Sequence, residues 1–226
     1  MKLNRTLEFL SRLEGNNSFE WMNKHKKEYQ IAKYEFLQFI EELLVVIAEF
    51  DPSVAHLEPK NLVYRLNRDT RFSHDKTPYN PAFRAHISIA ERKPIPAGYY
   101  LCIKPNQSFL GGGVFAAQFS QATEMIRDHL VSHPKEFQQI IKRKEFADIF
   151  EVEGAKLKNV PRGYDKNHPL AEYLKYKTWN IEYKISDQEL LTESPEYIAE
   201  KFHLMLPFNS FLNQGLADFR MPEKRK

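Results

Sequence analysis

Apolar residues in the first fifty positions recur with the spacing of an amphipathic helix. A run of them follows the i, i+3, i+4, i+7 rule and would share one helix face: Phe36, Phe39, Ile40, Leu43, Leu44 and Ile47. Asn17, followed three residues later by Glu20, resembles a capping arrangement at a helix start. The pattern predicts a long helix that ends near Asp51 and Pro52.

The middle third of the chain changes to a period of two. Apolar and polar residues alternate in residues 62–67, 83–89 and 99–104, which is typical of strands with one buried and one polar face. If these strands are neighbours in an antiparallel sheet, their polar faces form one surface. That surface would carry Arg65, Asn67, Arg84, His86, Ser88, Tyr100 and Lys104.

Helical spacing returns in the last third, over residues 118–131 and 134–143. Residues 154–168 are irregular, and residues 178–185 alternate like a strand. The C-terminal helices have start signals at Ser186 with Glu189 and at Ser194 with Pro195, and Pro207 should end or bend the last helix.

Together these elements predict an α+β fold with a central, mainly antiparallel sheet flanked by N-terminal and C-terminal helices. The sequence contains no internal repeat, low-complexity tract or Gly/Ser-rich linker. A single domain over residues 1–226 is therefore the simplest prediction.

Composition narrows the function only slightly. The 33 Lys and Arg residues against 30 Asp and Glu residues give a net charge of +3, too mild to indicate nucleic acid by itself. Cys102 is the only cysteine, so no intrachain disulfide can form, which fits a reducing compartment. Without a signal-like start or a long apolar run, we expect a cytoplasmic protein that does not bind membranes.

Positive charge is concentrated in residues 65–79, where Pro78 and the nearby Pro81 disfavour a helix. The segment holds four cations around two carboxylates: Arg65, Arg68, Arg71, Lys76, Asp69 and Asp75. Because guanidinium groups bind phosphate and carboxylate through paired hydrogen bonds, we expect these cations, with Arg84, to bind an anionic small molecule.

Two questions stay open for this segment. In a structural alternative, Asp69 and Asp75 each pair with an arginine and lock the loop, and the protein is then an interaction scaffold. Candidates for proton transfer are Asp69, Asp75, Tyr79 and His168, but their spacing specifies no mechanism. The sequence therefore leaves open whether the protein is an enzyme, such as a hydrolase or transferase, and indicates no cofactor or oligomeric state.

Further ligand-binding candidates lie in the second half of the chain. Gly111, Gly112 and Gly113 allow close approach of a ligand to the backbone, with a bulge or tight turn, the usual role of glycines near strands, as the alternative. The predicted helix that follows them carries Arg127. The polar loop of residues 158–168 and the next strand add Arg162, Tyr164, His168 and Lys177, with a plain surface connection as the alternative.

Several common chemistries find no support. The glycine run lacks the Gly-Lys-Ser/Thr ending of a P-loop and the G-x-G-x-x-G dinucleotide fingerprint, and no Gly-x-Ser-x-Gly elbow exists. His129 and His133 have the i, i+4 spacing of metal ligands but lack a third ligand, so we predict no metal. A nucleic-acid-binding module is the remaining alternative, with Tyr100 and Trp179 available for stacking beside a basic sheet face.

Residues 64–79, Tyr-Arg-Leu-Asn-Arg-Asp-Thr-Arg-Phe-Ser-His-Asp-Lys-Thr-Pro-Tyr, resemble the signature of DUF2461, a widespread, mainly bacterial family of uncharacterised proteins. Residues 16–29, the glycine run and residues 157–177 resemble further motifs of the family. Asn80 and Met22 depart from its pattern, where a basic and an aromatic residue are expected. The resemblance implies a single domain and no particular activity.

Overall fold

The N-terminal helical region consists of three helices rather than one. In the computed structural model, which describes residues 2–222, they are α1 (Asn4–Gly15), α2 (Phe19–Lys24) and α3 (Lys26–Ala48). The predicted apolar face of α3 is buried throughout, and the helix ends close to the predicted position. The predicted cap is wrong: Ser18, not Asn17, accepts the hydrogen bond from the backbone N–H of Trp21, at 3.1 Å.

The helices between α3 and the last helix are shorter than either of these two. The helices after α3 are α4 (Pro59–Leu62), α5 (Ser120–Ser132), α6 (Pro134–Lys142), α7 (Lys144–Ala147), α8 (Ala171–Leu174), α9 (Asp187–Thr192) and α10 (Pro195–Gly215), with a 3-10 turn at Pro52–Val54. The capping box of Ser186 and Glu189 is present at the start of α9, as predicted. Within residues 2–222, no helix has both the length and the apolar content needed to cross a bilayer.

Four strands form one antiparallel sheet, so the predicted α+β class is confirmed. They are β1 (Phe83–Ile87), β2 (Tyr99–Ile103), β3 (Phe109–Val114) and β4 (Trp179–Lys184), in the order β1-β2-β3-β4. Three of them were predicted from alternation. β3 was not, because its glycines have no side chains to display a period of two.

The strand predicted over residues 62–67 is wrong. Leu62 ends helix α4, and the following residues form only two isolated bridges, Val63 with Ala85 and Asn67 with Tyr79. The opposing segment contains Pro78 and Pro81, which lack the N–H groups that a continuous ladder requires.

Helix α10 continues through Pro207 to Gly215, so the helix does not end at that proline; the alternative, a bend there, stays a prediction. A proline inside a helix costs about 3 kcal/mol. Downstream packing offsets this cost, because Phe208, Phe211 and Leu212 are fully buried. Asn213 adds a pair of hydrogen bonds with the backbone of Ala97, at 2.8 and 3.1 Å.

Contacts divide the chain into two compact units. The first contains residues up to Arg92, Tyr100–Leu110 and Lys184–His203; the second contains Lys93–Tyr99, Gly111–Tyr183 and residues from Leu204 onward. Stacking of Phe36 on Phe83, at 5.2 Å between ring centroids, belongs to the core of the first unit. Phe137 and Phe211 make the corresponding contact in the second, also at 5.2 Å. The prediction of a single domain stays a prediction.

Candidate anion-binding site

The central cationic segment forms an irregular hairpin, which we call the arginine hairpin (residues 63–85). Its two arms run antiparallel and enclose a loop at residues 69–77. Three backbone hydrogen bonds join the arms: Tyr64 N–H to Arg84 O at 2.9 Å, Asn80 N–H to Leu66 O at 2.7 Å, and Arg68 N–H to Pro78 O at 2.9 Å.

Arg68 closes the loop of this hairpin. Its guanidinium donates to the carboxylate of Asp75 and the hydroxyl of Thr77, and more weakly, at 3.4 Å, to the hydroxyl of Ser73. The hydrogen bond from the Thr77 backbone and that from Arg68 lower the pKa of Asp75 to about 2. Only 29% of the Arg68 side chain is exposed. The hydrogen bonds of Arg68 therefore stabilise the loop of residues 69–77 internally.

Arg71 forms a second pair at the loop. Its Nε donates to Oδ1 of Asp69 at 2.9 Å and its Nη2 to Oδ2 at 2.6 Å, the two-bond geometry of an arginine with a carboxylate. These bonds lower the pKa of Asp69, although 77% of the Arg71 side chain is exposed. Lys76 donates to the carbonyl of Thr70 at 3.0 Å. The pairs of Arg68 with Asp75 and of Arg71 with Asp69 are those that the structural alternative predicts.

Arg84, on strand β1, differs from Arg68 and Arg71 in its surroundings. It is half-buried and makes no ion pair within residues 2–222. Its guanidinium lies 5.4 Å from the ring centroid of Tyr64, and its buried Nε has no hydrogen-bond partner in the described chain. Arg65 is exposed, and it also makes no ion pair or side-chain hydrogen bond within residues 2–222.

Aromatic side chains surround Arg84, and we call this group the Arg84 cluster (Tyr64, Arg84, His86 and Tyr100). Tyr100 lies 6.2 Å from Tyr64 and 6.5 Å from His86, between ring centroids. Burial raises the pKa of Tyr100 to about 12, outweighing the opposite effect of Arg84, whose guanidinium hydrogen-bonds its hydroxyl. Burial also raises the pKa of Tyr64. Both phenols are therefore neutral at physiological pH.

The predicted polar face of the sheet needs correction. Tyr64, rather than Arg65, contacts Arg84, because residue 64 pairs with residue 84 across the hairpin. His86 and Ser88 are buried, at 7% and 3% exposure. This face is a packed aromatic cluster with one arginine, not an open row of cations.

Tyr79 links the hairpin to the N-terminal helices. The side chain of Asn17 donates to its carbonyl at 2.9 Å and accepts from its N–H at 3.1 Å. The tyrosine is buried beside a hollow of about 140 Å³ that is lined by Met22, Asn23, Lys26, Tyr29, Gln30, Leu66, Asn67 and Tyr79. The sequence separates Asn17 and Tyr79 widely, and only their shared presence in the family motifs relates them.

In the second unit, the predicted residues have mainly structural contacts. Arg127 is buried, and it donates to the carbonyls of Leu174 at 2.9 Å and Tyr176 at 2.8 Å, while burial lowers its pKa. Trp179 is completely buried, so it cannot stack on a base as the nucleic-acid alternative proposed. Lys177 is exposed.

The glycine run lies inside strand β3 instead of at a turn. Gly113 has a φ of +101°, and a Cβ there would lie 1.9 Å from the carbonyl oxygen of Trp179. Its N–H donates to Oδ1 of Asn209 at 2.7 Å, and a Cβ on Gly112 would come within 3.0 Å of the same oxygen. Close packing in the second unit therefore accounts for Gly112 and Gly113. A ligand role for the run, including the buried Gly111, stays a prediction.

The irregular loop of the second unit holds the last candidates. The hydroxyl of Tyr164 donates to Oδ1 of Asp128 at 2.8 Å, and Nδ1 of His168 accepts from the N–H of Leu170 at 3.1 Å. Arg162 and Tyr164 line a cavity of this unit. The catalytic and ligand roles predicted for these residues stay predictions.

No part of the described chain brings three or more His, Cys, Asp or Glu side chains together as a metal site. The rings of His129 and His133 lie 4.3 Å apart, and His129 also packs on Phe211. These contacts account for the helical spacing of the two histidines without a ligand.

Comparison with protein families identifies a family that covers most of the chain. The model of a family described as a conserved hypothetical protein, DUF2461, matches residues 5–211, most of the chain. No curated protein and no solved structure matches it.

Proposed function

The chain belongs to the DUF2461 family of conserved hypothetical proteins, and we propose that it binds an anionic, phosphate- or carboxylate-bearing small molecule at Arg84. The other cations of the arginine hairpin contribute to the local positive potential. Arg65 and Lys76 have no carboxylate partner within residues 2–222, whereas Arg68 and Arg71 are paired with aspartates. Net positive charge therefore remains at this end of the unit.

The observation that carries the proposal is that Arg84 has no carboxylate partner within residues 2–222. A guanidinium that is half-buried loses part of its hydration, and that loss is costly unless an anion compensates it. The tyrosines beside Arg84 supply an aromatic face and one hydroxyl, but no negative charge. An anionic ligand bound to the guanidinium would supply the missing charge partner.

Neutral phenols make this cluster suitable for an anion. Because the pKa of Tyr100 is about 12, its hydroxyl keeps its proton at physiological pH. The neutral hydroxyl accepts a hydrogen bond from Arg84 and adds no negative charge to the cluster. A tyrosinate at this position would repel the ligand instead.

Hydrolysis or group transfer is a further step in the same proposal. Asp69 and Asp75 are ionised at physiological pH, since hydrogen bonds lower the pKa of each. They cannot serve there as proton donors, and a carboxylate with a pKa of about 2 is a weak base. Tyr79 is the remaining candidate of the same unit for the proton donor, and the catalytic role predicted for His168, in the second unit, stays a prediction.

Isothermal titration calorimetry with pyrophosphate tests the proposal. We expect Arg84→Met to bind at least about thirtyfold more weakly than the unmodified protein, the usual cost of truncating one partner of a buried charge pair. Arg5→Met is the matched control, because Arg5 is an exposed arginine of the same unit. Equal affinity for the two variants, or no binding by the unmodified protein, would contradict the proposal.

A structural Arg/Asp network in an interaction scaffold is the second candidate function. The pairs of Arg68 with Asp75 and of Arg71 with Asp69 favour it. It predicts that Arg68→Ala lowers the thermal midpoint and that Arg84→Met changes no affinity for any anion. The calorimetric comparison therefore separates the two functions.

A further inference from the structure

The second unit contains a cavity of its own, with a volume of about 560 Å³. It lies between the irregular loop and helix α8, and it is lined by residues 159–162 together with Tyr164, Lys166, Ala171, Glu172 and Lys175. Binding sites for small molecules usually have volumes of about 300–1,000 Å³. The cavity is thus large enough for an organic ligand of nucleotide size.

The backbone of the cavity wall is shaped by a turn. The N–H of Tyr164 donates to the carbonyl of Pro161 at 3.3 Å, and Gly163 has a φ of +95°. A Cβ on Gly163 would meet no atom within 4 Å, so the turn conformation, and not packing, accounts for the glycine. The turn holds Arg162 and Tyr164 on either side of this residue.

Tyr164 is a fixed part of the wall. Its hydroxyl donates to Oδ1 of Asp128 at 2.8 Å, and burial, followed by this bond, raises its pKa to about 12. The ring is therefore neutral at physiological pH and anchored to helix α5. Arg127, also on α5, donates to the carbonyls of Leu174 and Tyr176, and these bonds fix the backbone around Lys175.

The charges that line the cavity do not balance. Three cations, Arg162, Lys166 and Lys175, face one carboxylate, Glu172, so the lining carries three minus one, or +2. Glu172 accepts a hydrogen bond from Lys175, which lowers its pKa. Arg162 and Lys166 are exposed and make no ion pair within residues 2–222. Two cations are thus available to a ligand.

We infer that this cavity binds an organic phosphate of nucleotide size, independently of Arg84. Arg162 can hold two phosphate oxygens at once, and Lys166 adds a point charge. Val160, Pro161 and Ala171 provide an apolar side for the organic part of the ligand. The single carboxylate of Glu172 can accept a hydrogen bond from a ligand hydroxyl. A ligand that is only an inorganic anion would leave most of the volume unused.

Calorimetric titration with ADP tests this inference, using pyrophosphate as the probe without an organic part. We expect the double variant Arg162→Ala/Lys166→Ala to bind ADP at least about tenfold more weakly than the unmodified protein. Lys158→Ala is the matched control, since Lys158 is an exposed cation of the same loop that does not line the cavity. The control should retain its affinity, and ADP should bind more tightly than pyrophosphate at this site.

Arg84→Met separates this site from the function proposed for the first unit. It should still bind ADP at this cavity, whether or not it has lost pyrophosphate binding at Arg84. The inference is overturned if ADP does not bind, if Lys158→Ala weakens binding as much as the double variant, or if Arg84→Met abolishes ADP binding while the double variant keeps it. Equal stability of the loop variants and the unmodified protein, measured by thermal unfolding, is expected because the substituted side chains of the loop are exposed.

Discussion

Arg68 and Arg84 belong to the same hairpin, yet their surroundings differ in one decisive respect. Arg68 donates to an aspartate and two hydroxyls, and its loop is complete without a ligand. Arg84 is half-buried between tyrosines and has no carboxylate partner in the described chain. The difference teaches that a dense run of arginines does not by itself make a binding site. What matters is the positive charge that remains after internal pairing.

The largest expected effect comes from giving Arg84 the partner that Arg68 already has. Tyr64→Glu would place a carboxylate beside the guanidinium, where the tyrosine ring now lies at 5.4 Å. This carboxylate would neutralise Arg84 and repel an anion, so pyrophosphate affinity should fall on the order of a hundredfold. Calorimetric titration measures the change.

The neutral variant Tyr64→Gln controls for the lost ring. It has nearly the same shape as the glutamate variant but no charge, and we expect its affinity to stay within about threefold of the unmodified protein. If the two variants lose affinity equally, charge at Arg84 does not govern binding.

A moderate effect is expected from Arg68→Ala. Loss of its hydrogen bonds should lower the free energy of unfolding by about 1 kcal/mol, a typical net value for charged hydrogen bonds near the surface. Pyrophosphate affinity should change little, because Arg68 is already paired. Denaturant unfolding and titration of the same sample measure both quantities. Arg71→Ala, which removes a more exposed pair, should show no measurable change in stability.

The smallest effect concerns acid stability. The pKa of Asp75 in the folded protein is about 2, below its ordinary value of 3.8, so its contribution is present above pH 4 and is lost as the pH falls towards 2. Asp75→Asn should therefore lose less stability than the unmodified protein between pH 4 and pH 2. Arg84→Met should keep the original dependence of stability on acid pH, since Arg84 has no carboxylate partner in the part of the chain that the structure describes. Unfolding midpoints at a series of pH values test both expectations.

Sequence patterns predicted the elements whose signals are local. The buried face of α3, the alternation in β1 and β2, and the capping box before α9 all follow from residues close together in the chain. Where distant contacts dominate, the patterns were misleading. Packing of Phe208 and its neighbours stabilises α10 beyond Pro207, and strand β3 was not predicted because its glycines show no alternation of apolar and polar side chains.

The sequence predicted which charged residues the candidate site contains, but not which arginines and carboxylates pair with one another. The motif correctly indicated where arginines and aspartates concentrate, and it left open which of them pair. Nothing in the sequence distinguishes Arg84 from Arg68, because the distinction depends on which carboxylates the folded hairpin brings within reach. The hydrogen bond between Asn17 and Tyr79 could not be predicted either, since no local pattern relates the two residues.

A crystal structure of the protein soaked with pyrophosphate would test the central claim most directly. The account predicts ligand density within hydrogen-bond distance of the Arg84 guanidinium, with the pairs of Arg68 and Arg71 unchanged. Density confined to isolated surface lysines, or an Arg84 side chain already bonded to a carboxylate of the protein, would contradict it.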